Sequence, residues 1–222
     1  MQKSPDTDLY DRWIVSLFNH DEKDGDWRYD DDQRPIEIPE KLLPDYIVKL
    51  NNDLPMMIKR YSDWQLGMGF YYIYSPICSD LGFSIRDGTA PIQKRLDAIK
   101  SMKNMYSECF EIRCHPVLGH LSEESSELDS FCFMLWDTTA LSFCTEDHPY
   151  RNEIYSAVAG VMEYALTLKN LSCIESALHG LGHLTDFWPQ AEKIIEDFIR
   201  RSGNIDPRIL SYAEKAKNGD VL

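Results

Sequence analysis

Apolar residues recur every three or four positions along most of the chain, which is the spacing of helices that bury one face. The longest stripe of this kind consists of Ile92, Leu96, Ile99, Met102, Tyr106 and Cys109. Strand-like alternation of apolar and polar residues is scarce. The pattern therefore predicts an all-α fold of roughly eight or nine helices.

Local signals place several of these helices. Residues 40–50 and 53–61 predict two short helices. Ser62 and Gln65 match an S-x-x-Q capping box, which is typical of a helix N-terminus. Residues 128–143 are apolar on nearly all sides, and this predicts a central helix.

The C-terminal part of the sequence suggests pairs of helices. Residues 148–187 predict a helix, a short turn and a second helix over about 40 residues, the length of a HEAT or armadillo unit. Residues 189–218 predict a shorter pair, of the kind that caps such an array. We therefore expect an acidic N-terminal segment at 1–39 and a single α-helical domain at 40–222. This domain opens with an irregular helical part and has HEAT-like pairs at about 148–218.

The charge of the chain limits the classes of molecule that it is expected to bind. The 222 residues are 43% apolar, enough to bury a core, and carry a formal net charge of −14. Residues 1–40 hold half of this charge, with 12 acidic and 5 basic side chains. Binding to nucleic acid requires clustered Lys and Arg that displace counterions, so a nucleic-acid partner is not expected. A protein partner with a basic surface is favoured.

Cysteine usage and hydropathy bear on the compartment. The six cysteines include no C-x-x-C pair and lie mostly among apolar residues, which predicts reduced, buried thiols. No basic-then-apolar leader opens the sequence, and no apolar run approaches the ~20 residues that span a bilayer. We expect a cytoplasmic protein that does not bind membranes.

The acidic stretch HDEKDGDWRYDDDQRP, residues 20–35, embeds two aromatic side chains among carboxylates. Aromatic residues are enriched at interface centres, and surrounding charges steer a partner of opposite sign. The candidate partner-binding residues are Asp24, Asp26, Trp27, Tyr29, Asp30, Asp31 and Asp32. In an alternative interpretation the two aromatics fold back onto the helices as a flap. An EF-hand is not expected, because aligning Gly25 with the invariant glycine puts His20 at the first ligand position and Asp31 at the last.

The segment CIESALHGLGHL, residues 173–184, raises a metal hypothesis. Glu175, His179 and His183 share one helix face. The catalytic signature H-E-x-x-H is absent, because a glycine follows the first histidine. Besides the two histidines, a third ligand would come from the 114–120 loop, where the candidates are Cys114, His115 and His120.

A structural interpretation accounts for more of the same segment. Ser172 and Glu175 match an S-x-x-E capping box, which would occupy the glutamate at the helix N-terminus. Gly180 and Gly182 are unfavourable inside a helix unless a neighbouring helix approaches closely. Asp137 lies in the apolar central helix and is either its polar edge or a buried carboxylate paired with a cation.

The string SALHGLGH, together with PRILSYAEKAKNG at 207–219 and YSDWQLGMGF further upstream, resembles a family of uncharacterised bacterial proteins. The likeness covers about residues 60–222. The resemblance implies a C-terminal part of HEAT-type helical repeats and a role as an α-helical scaffold. It implies no catalytic residues.

These observations favour a cytoplasmic bacterial protein-binding module, with no catalytic residue and no cofactor expected. Its sharpest form is an immunity-type inhibitor that covers a basic surface of a toxin. The alternative from another class is a metal-dependent hydrolase that uses His179 and His183, with His120 as a further ligand. A general adaptor or scaffold protein is the third hypothesis.

Overall fold

The computed structural model describes residues 5–203 and 205–221, and within these ranges the chain forms helices, turns and loops without a β-strand. The prediction of an all-α fold is confirmed. The helices are α1 (Pro5–Phe18), α2 (Leu43–Arg60), α3 (Asp63–Tyr74), α4 (Leu81–Asp87), α5 (Ile92–Met105), a π-helical turn (Tyr106–Phe110), α6 (Glu111–Arg113), α7 (Glu127–Thr138), α8 (Arg151–Ala165), α9 (Leu171–Leu184), α10 (Gln190–Arg201) and α11 (Pro207–Ala216). Short 3₁₀ turns connect several of them.

One helix, α2, replaces the two short helices expected between residues 40 and 61. Pro55 lies inside it, where proline removes a backbone hydrogen bond. Leu50, Leu54 and Met57 nevertheless continue a buried stripe, while the proline faces solvent. Burial of this stripe outweighs the local cost of the proline.

The start of α3 agrees with the prediction. The side chain of Ser62 accepts the N–H of Gln65, and the side chain of Gln65 accepts the N–H of Ser62, so the capping box is confirmed. The amide of Gln65 also donates to the carbonyl of His20 at 2.7 Å. The capping residue Gln65 therefore also holds the segment that follows α1 against the start of α3.

The central helix predicted from the apolar run is α7, which packs against both α3 and α9. The ring of Phe131 on α7 lies 5.8 Å from that of Phe70 and 6.2 Å from that of Phe110. Gly67 of α3 allows the close approach, because a Cβ there would lie 2.7 Å from the backbone of Glu127. Aromatic packing and a glycine contact thus hold α7 in place.

The two C-terminal helix pairs, α8 with α9 and α10 with α11, occur where they were expected. Helix α9 packs against α7, α8, α10 and α11. Every residue of 172–182 is buried as a result. The helix pairs have the expected order, and their HEAT-like character stays a prediction.

Two glycines permit this enclosure of α9. A Cβ on Gly180 would lie 2.5 Å from the ring of Trp136 on α7. A Cβ on Gly182 would lie 2.6 Å from Val221, near the end of the chain. The prediction that these glycines serve close packing is confirmed.

The acidic N-terminal segment, described from residue 5 onward, packs onto the helices that follow it. Trp13 and Phe18 of α1 are buried in the same apolar cluster as residues of α2 and α3. Further along, the buried ring of Trp27 stacks on His20 at 3.9 Å. The segment is therefore a packed layer with a charged outer surface.

Two observations concern the cytoplasmic location expected from the sequence, the state of the cysteines and the character of the helices. All six cysteines have free thiols, and five are buried while Cys78 is partly exposed. Among the described helices, none combines the length and the apolar character needed to cross a membrane.

We expect Gly180→Ala to lower the free energy of unfolding by about 1–3 kcal/mol, because the added methyl group overpacks the core at the Trp136 ring. Gly160→Ala on α8 is the matched control, since only its own helix lies within 4 Å of that Cβ position. Alanine should leave stability there unchanged or raise it by up to about 1 kcal/mol. Urea unfolding measures both changes, and equal stability of the two variants would show that α9 can shift without loss.

Candidate functional site

Side chains of α7 and α9 converge at one point. Asp137, next to the last residue of α7, lies beside His179 and His183 of α9. Gly180 lets α9 lie close to Trp136 of α7. Asp137, the next residue of α7, is thereby brought within reach of both imidazoles. In the part of the chain that the structure describes, this is the one group of three potential metal ligands whose ligand atoms all lie within 4.8 Å of one another.

The carboxylate of Asp137 faces both imidazoles. Its Oδ2 lies 2.6 Å from Nε2 of His179, its Oδ1 contacts Nε2 of His183, and the two Nε2 atoms are 3.2 Å apart. The side chain of His179 is buried, whereas those of His183 and Asp137 are 36% and 24% exposed. The group is thus fixed on its inner side and open to solvent on its outer side.

Asp137 is held in its ionised form. Burial raises the pKa of its carboxyl group, but hydrogen bonds and charge interactions with His179 and His183 lower it by more, and the pKa lies well below its usual range. The carboxylate of Asp137 therefore keeps its negative charge at neutral pH. A carboxylate beside two imidazoles is a donor set that suits a metal cation.

A tyrosine of α11 orients His179. Nδ1 of this histidine lies 2.5 Å from the hydroxyl of Tyr212, and Phe133 packs against its ring at 4.7 Å between centroids. Burial, together with the carboxylates of Glu175 and Asp137, raises the pKa of Tyr212, so its hydroxyl stays protonated. Both ring nitrogens of His179 are therefore engaged, and its orientation is fixed.

Glu175 accepts hydrogen bonds from a 3₁₀ turn, Gly119–Leu121. The donors are the N–H of Gly119 at 2.7 Å, the N–H of His120 at 3.0 Å and Nδ1 of His120. The glutamate is fully buried, so these donors replace the water that it loses on folding. The ring of His120 stacks on Tyr212 at 4.3 Å, and this contact joins Glu175 to the histidine group.

The capping box expected from Ser172 and Glu175 is wrong. Asn170 caps α9 by accepting the N–H of Ser172 at 3.0 Å. The hydroxyl of Ser172 faces the carbonyls of His115 and Val117, at 2.6 and 2.8 Å. The loop that precedes α7 lies over the start of α9 and engages both polar side chains, a contact that residue spacing within one helix does not reveal.

The 114–120 loop does not supply the third member of the histidine group. Cys114 is buried, and His115 and His120 each pair with a carboxylate on another helix. The structure places Asp137 beside the two histidines instead. In the sequence, Asp137 is distinguished only as an acidic residue in an otherwise apolar helix.

The acidic segment, defined here as residues 21–34, folds into three consecutive 3₁₀ turns. The side chains of Asp21, Asp26 and Asp30 each accept the backbone N–H two residues further on. Asp26 also pairs with Arg28 at 2.7 Å. These local bonds fix the carboxylates at the surface.

Trp27 does not lie where a partner was expected to reach it. Its ring is buried, stacks on His20 and packs against Tyr72, so the expectation that it is available for docking is wrong and the fold-back interpretation holds for this residue. Tyr29 is 59% exposed. Among the candidate partner-binding residues, Asp26, Asp30, Asp31 and Asp32 are exposed. The side chain of Asp24 lies outside the described residues.

Arg28 anchors the acidic segment to two helices. Its guanidinium group lies 4.5 Å from the centre of the Tyr71 ring on α3. It also lies 3.5 Å from the carboxylate of Glu127, the first residue of α7. A buried tryptophan and a bridging arginine thus hold the acidic segment against the core.

Searches of protein families, curated proteins and solved structures found no match to this chain. The resemblance to a HEAT-like bacterial family stays a prediction.

We expect Glu175→Gln to lower the free energy of unfolding by about 1–3 kcal/mol, because its amide NH₂ would face N–H donors in a buried site. Glu163→Gln is the matched control: this residue is exposed on α8, and its replacement should change stability by less than about 0.5 kcal/mol. Urea unfolding compares the two variants. If they unfold alike, the contact between the 3₁₀ turn and α9 contributes no stability.

Proposed function

We propose that the protein is a binding module whose acidic segment docks on a basic surface of another protein. The observation that carries this proposal is an exposed aromatic ring, Tyr29, set among carboxylates that local hydrogen bonds hold in place. Interfaces commonly place an aromatic anchor at their centre and charged groups around it.

The fixed geometry of the acidic side chains supports docking. The carboxylate of Asp30 accepts the N–H of Asp32 and a hydrogen bond from the side chain of Gln33, and these bonds lower its pKa. A partner would meet negative charges that are already ordered. Binding to preformed groups avoids part of the entropy loss that mobile side chains incur.

An aliphatic side chain extends the aromatic centre. The side chain of Tyr29 lies near the thiol of Cys78, and Ile77, which precedes this cysteine, is 71% exposed. Burial of these side chains against a partner would supply apolar contact area. Apolar side chains beside fixed carboxylates form a patch suited to a partner that is both basic and partly apolar.

The charge of the whole chain sets the class of partner. A net charge of −14 speeds association with a basic protein and slows association with an acidic one. In the sharpest form of the proposal the protein is an immunity-type inhibitor that covers the basic surface of a toxin in the bacterial cytoplasm. In the broader form it is a general adaptor. The free cysteines agree with a reducing compartment.

The test is a pull-down from host lysate at low and moderate salt, with the retained proteins identified by mass spectrometry. We expect a basic protein to be retained, and we expect its association to slow by roughly tenfold or more when Asp26, Asp30, Asp31 and Asp32 are replaced together by Asn. Asparagine also accepts a backbone N–H, so the turns should persist. Association rates at several salt concentrations measure the electrostatic contribution.

A control variant carries the same change in charge at other exposed positions. In it Glu146, Glu163 and Glu196 become Gln and Asp220 becomes Asn. The control should retain most of the wild-type association rate. An equal loss in both variants would reduce the effect to net charge alone. An unchanged salt dependence after the change in the acidic segment would contradict the proposal.

A further inference from the structure

We propose that Asp137, His179 and His183 bind one divalent transition-metal ion of the zinc type. The three side chains come from two helices and bring one oxygen and two nitrogen ligands to a single point. This metal site is separate from the acidic segment, and its existence does not depend on the docking proposal.

The convergence of three donor atoms favours a cation at this point. Nε2 of His179 and Nε2 of His183 each face an oxygen of Asp137, and an ionised carboxylate only accepts. If both nitrogens carried protons, each N–H would donate to one oxygen of Asp137, and the three side chains would form a hydrogen-bonded group with the two Nε2 atoms 3.2 Å apart. If both present lone pairs, one cation between them and the carboxylate satisfies all three groups.

The surroundings hold the ligand atoms ready. Tyr212 engages Nδ1 of His179, which leaves Nε2 directed at the proposed ion. A metal-bound histidine usually donates the N–H of its second ring nitrogen, and the hydroxyl oxygen of Tyr212 is placed to accept that of His179. Because His179 is buried and packs on Phe133, its ring keeps this orientation independently of the ion.

The donor set selects the class of ion. Imidazole nitrogen suits Zn²⁺, Co²⁺, Ni²⁺ and Cu²⁺, whereas Ca²⁺ and Mg²⁺ take oxygen ligands. Two imidazoles and one carboxylate leave a position of a tetrahedral ion for water or another ligand. The part-exposed side chains of His183 and Asp137 give solvent access to that position.

The test uses the full chain, prepared without a histidine tag and stripped of metal with a chelator. Titration with Zn²⁺ in competition with a chromophoric chelator measures affinity and stoichiometry. Titration with Co²⁺ reports coordination by nitrogen and oxygen through its visible absorption. We expect one equivalent of either ion per chain.

Two substitutions remove a ligand but keep a hydrogen-bonding side chain, Asp137→Asn and His183→Gln. Each should weaken Zn²⁺ binding by more than the roughly 10–100-fold that loss of an outer hydrogen-bond partner causes. Tyr212→Phe, which removes such a partner, should fall within roughly 10–100-fold. His115→Gln is the matched control, because this histidine pairs with Asp129 outside the metal site, and it should bind as the wild type does.

Urea unfolding shows that each variant compared is folded, and the part-exposed position of His183 makes His183→Gln the variant least dependent on the core. One metal equivalent in the wild type and in His115→Gln, with binding lost in Asp137→Asn and His183→Gln, supports the proposal. It is overturned if the wild type binds no equivalent of Zn²⁺ or Co²⁺, or if the ligand variants bind as tightly as the control. The three side chains would then form a hydrogen-bonded structural group.

Discussion

The enclosure of α9 by four other helices is the constraint on which the polar interior depends. All residues of 172–182 are buried, so the polar side chains Glu175 and His179 persist there only with partners inside the protein. Gly180 sets the closeness of this packing, because it admits the ring of Trp136. Burial first removes water from these groups, and the surrounding loop and helices then supply every replacement partner.

The replacement partners form one connected network. The buried carboxylate of Glu175 binds His120, whose ring stacks on Tyr212, and the hydroxyl of Tyr212 meets His179. His179 in turn reaches Asp137 at the surface. Such buried networks are strong when every member is satisfied and weak when one is missing. Packing of α9 therefore fixes the geometry of a site whose outer members face solvent.

Local sequence signals predicted the start of α3, the central helix α7, the C-terminal helix pairs and the role of the glycines, since periodicity, caps and steric demands act within a few residues. They did not predict α1, and they divided α2 into two helices. They failed where a partner is distant in sequence. Asp137 meets His179 across 42 positions, and Glu175 meets its turn across 55 or 56. The burial of Trp27 was missed for the same reason. The local sequence around an aromatic residue in a charged stretch is the same whether its ring faces solvent or packs on a distant helix. The capping-box match at Glu175 was valid in sequence and lost to the tertiary contact.

Helix α7 joins the two proposed sites and also separates them. Its first residue, Glu127, contacts Arg28 of the acidic segment, and Asp137 near its other end faces the histidines. The rise of an α-helix puts about 15 Å between these two positions. Surface charges at that distance are largely screened, since the Debye length is about 8 Å at physiological ionic strength. Because the two sites lie at opposite ends of α7, a substitution at one end should alter only the local site, and either proposal can fail while the other stands.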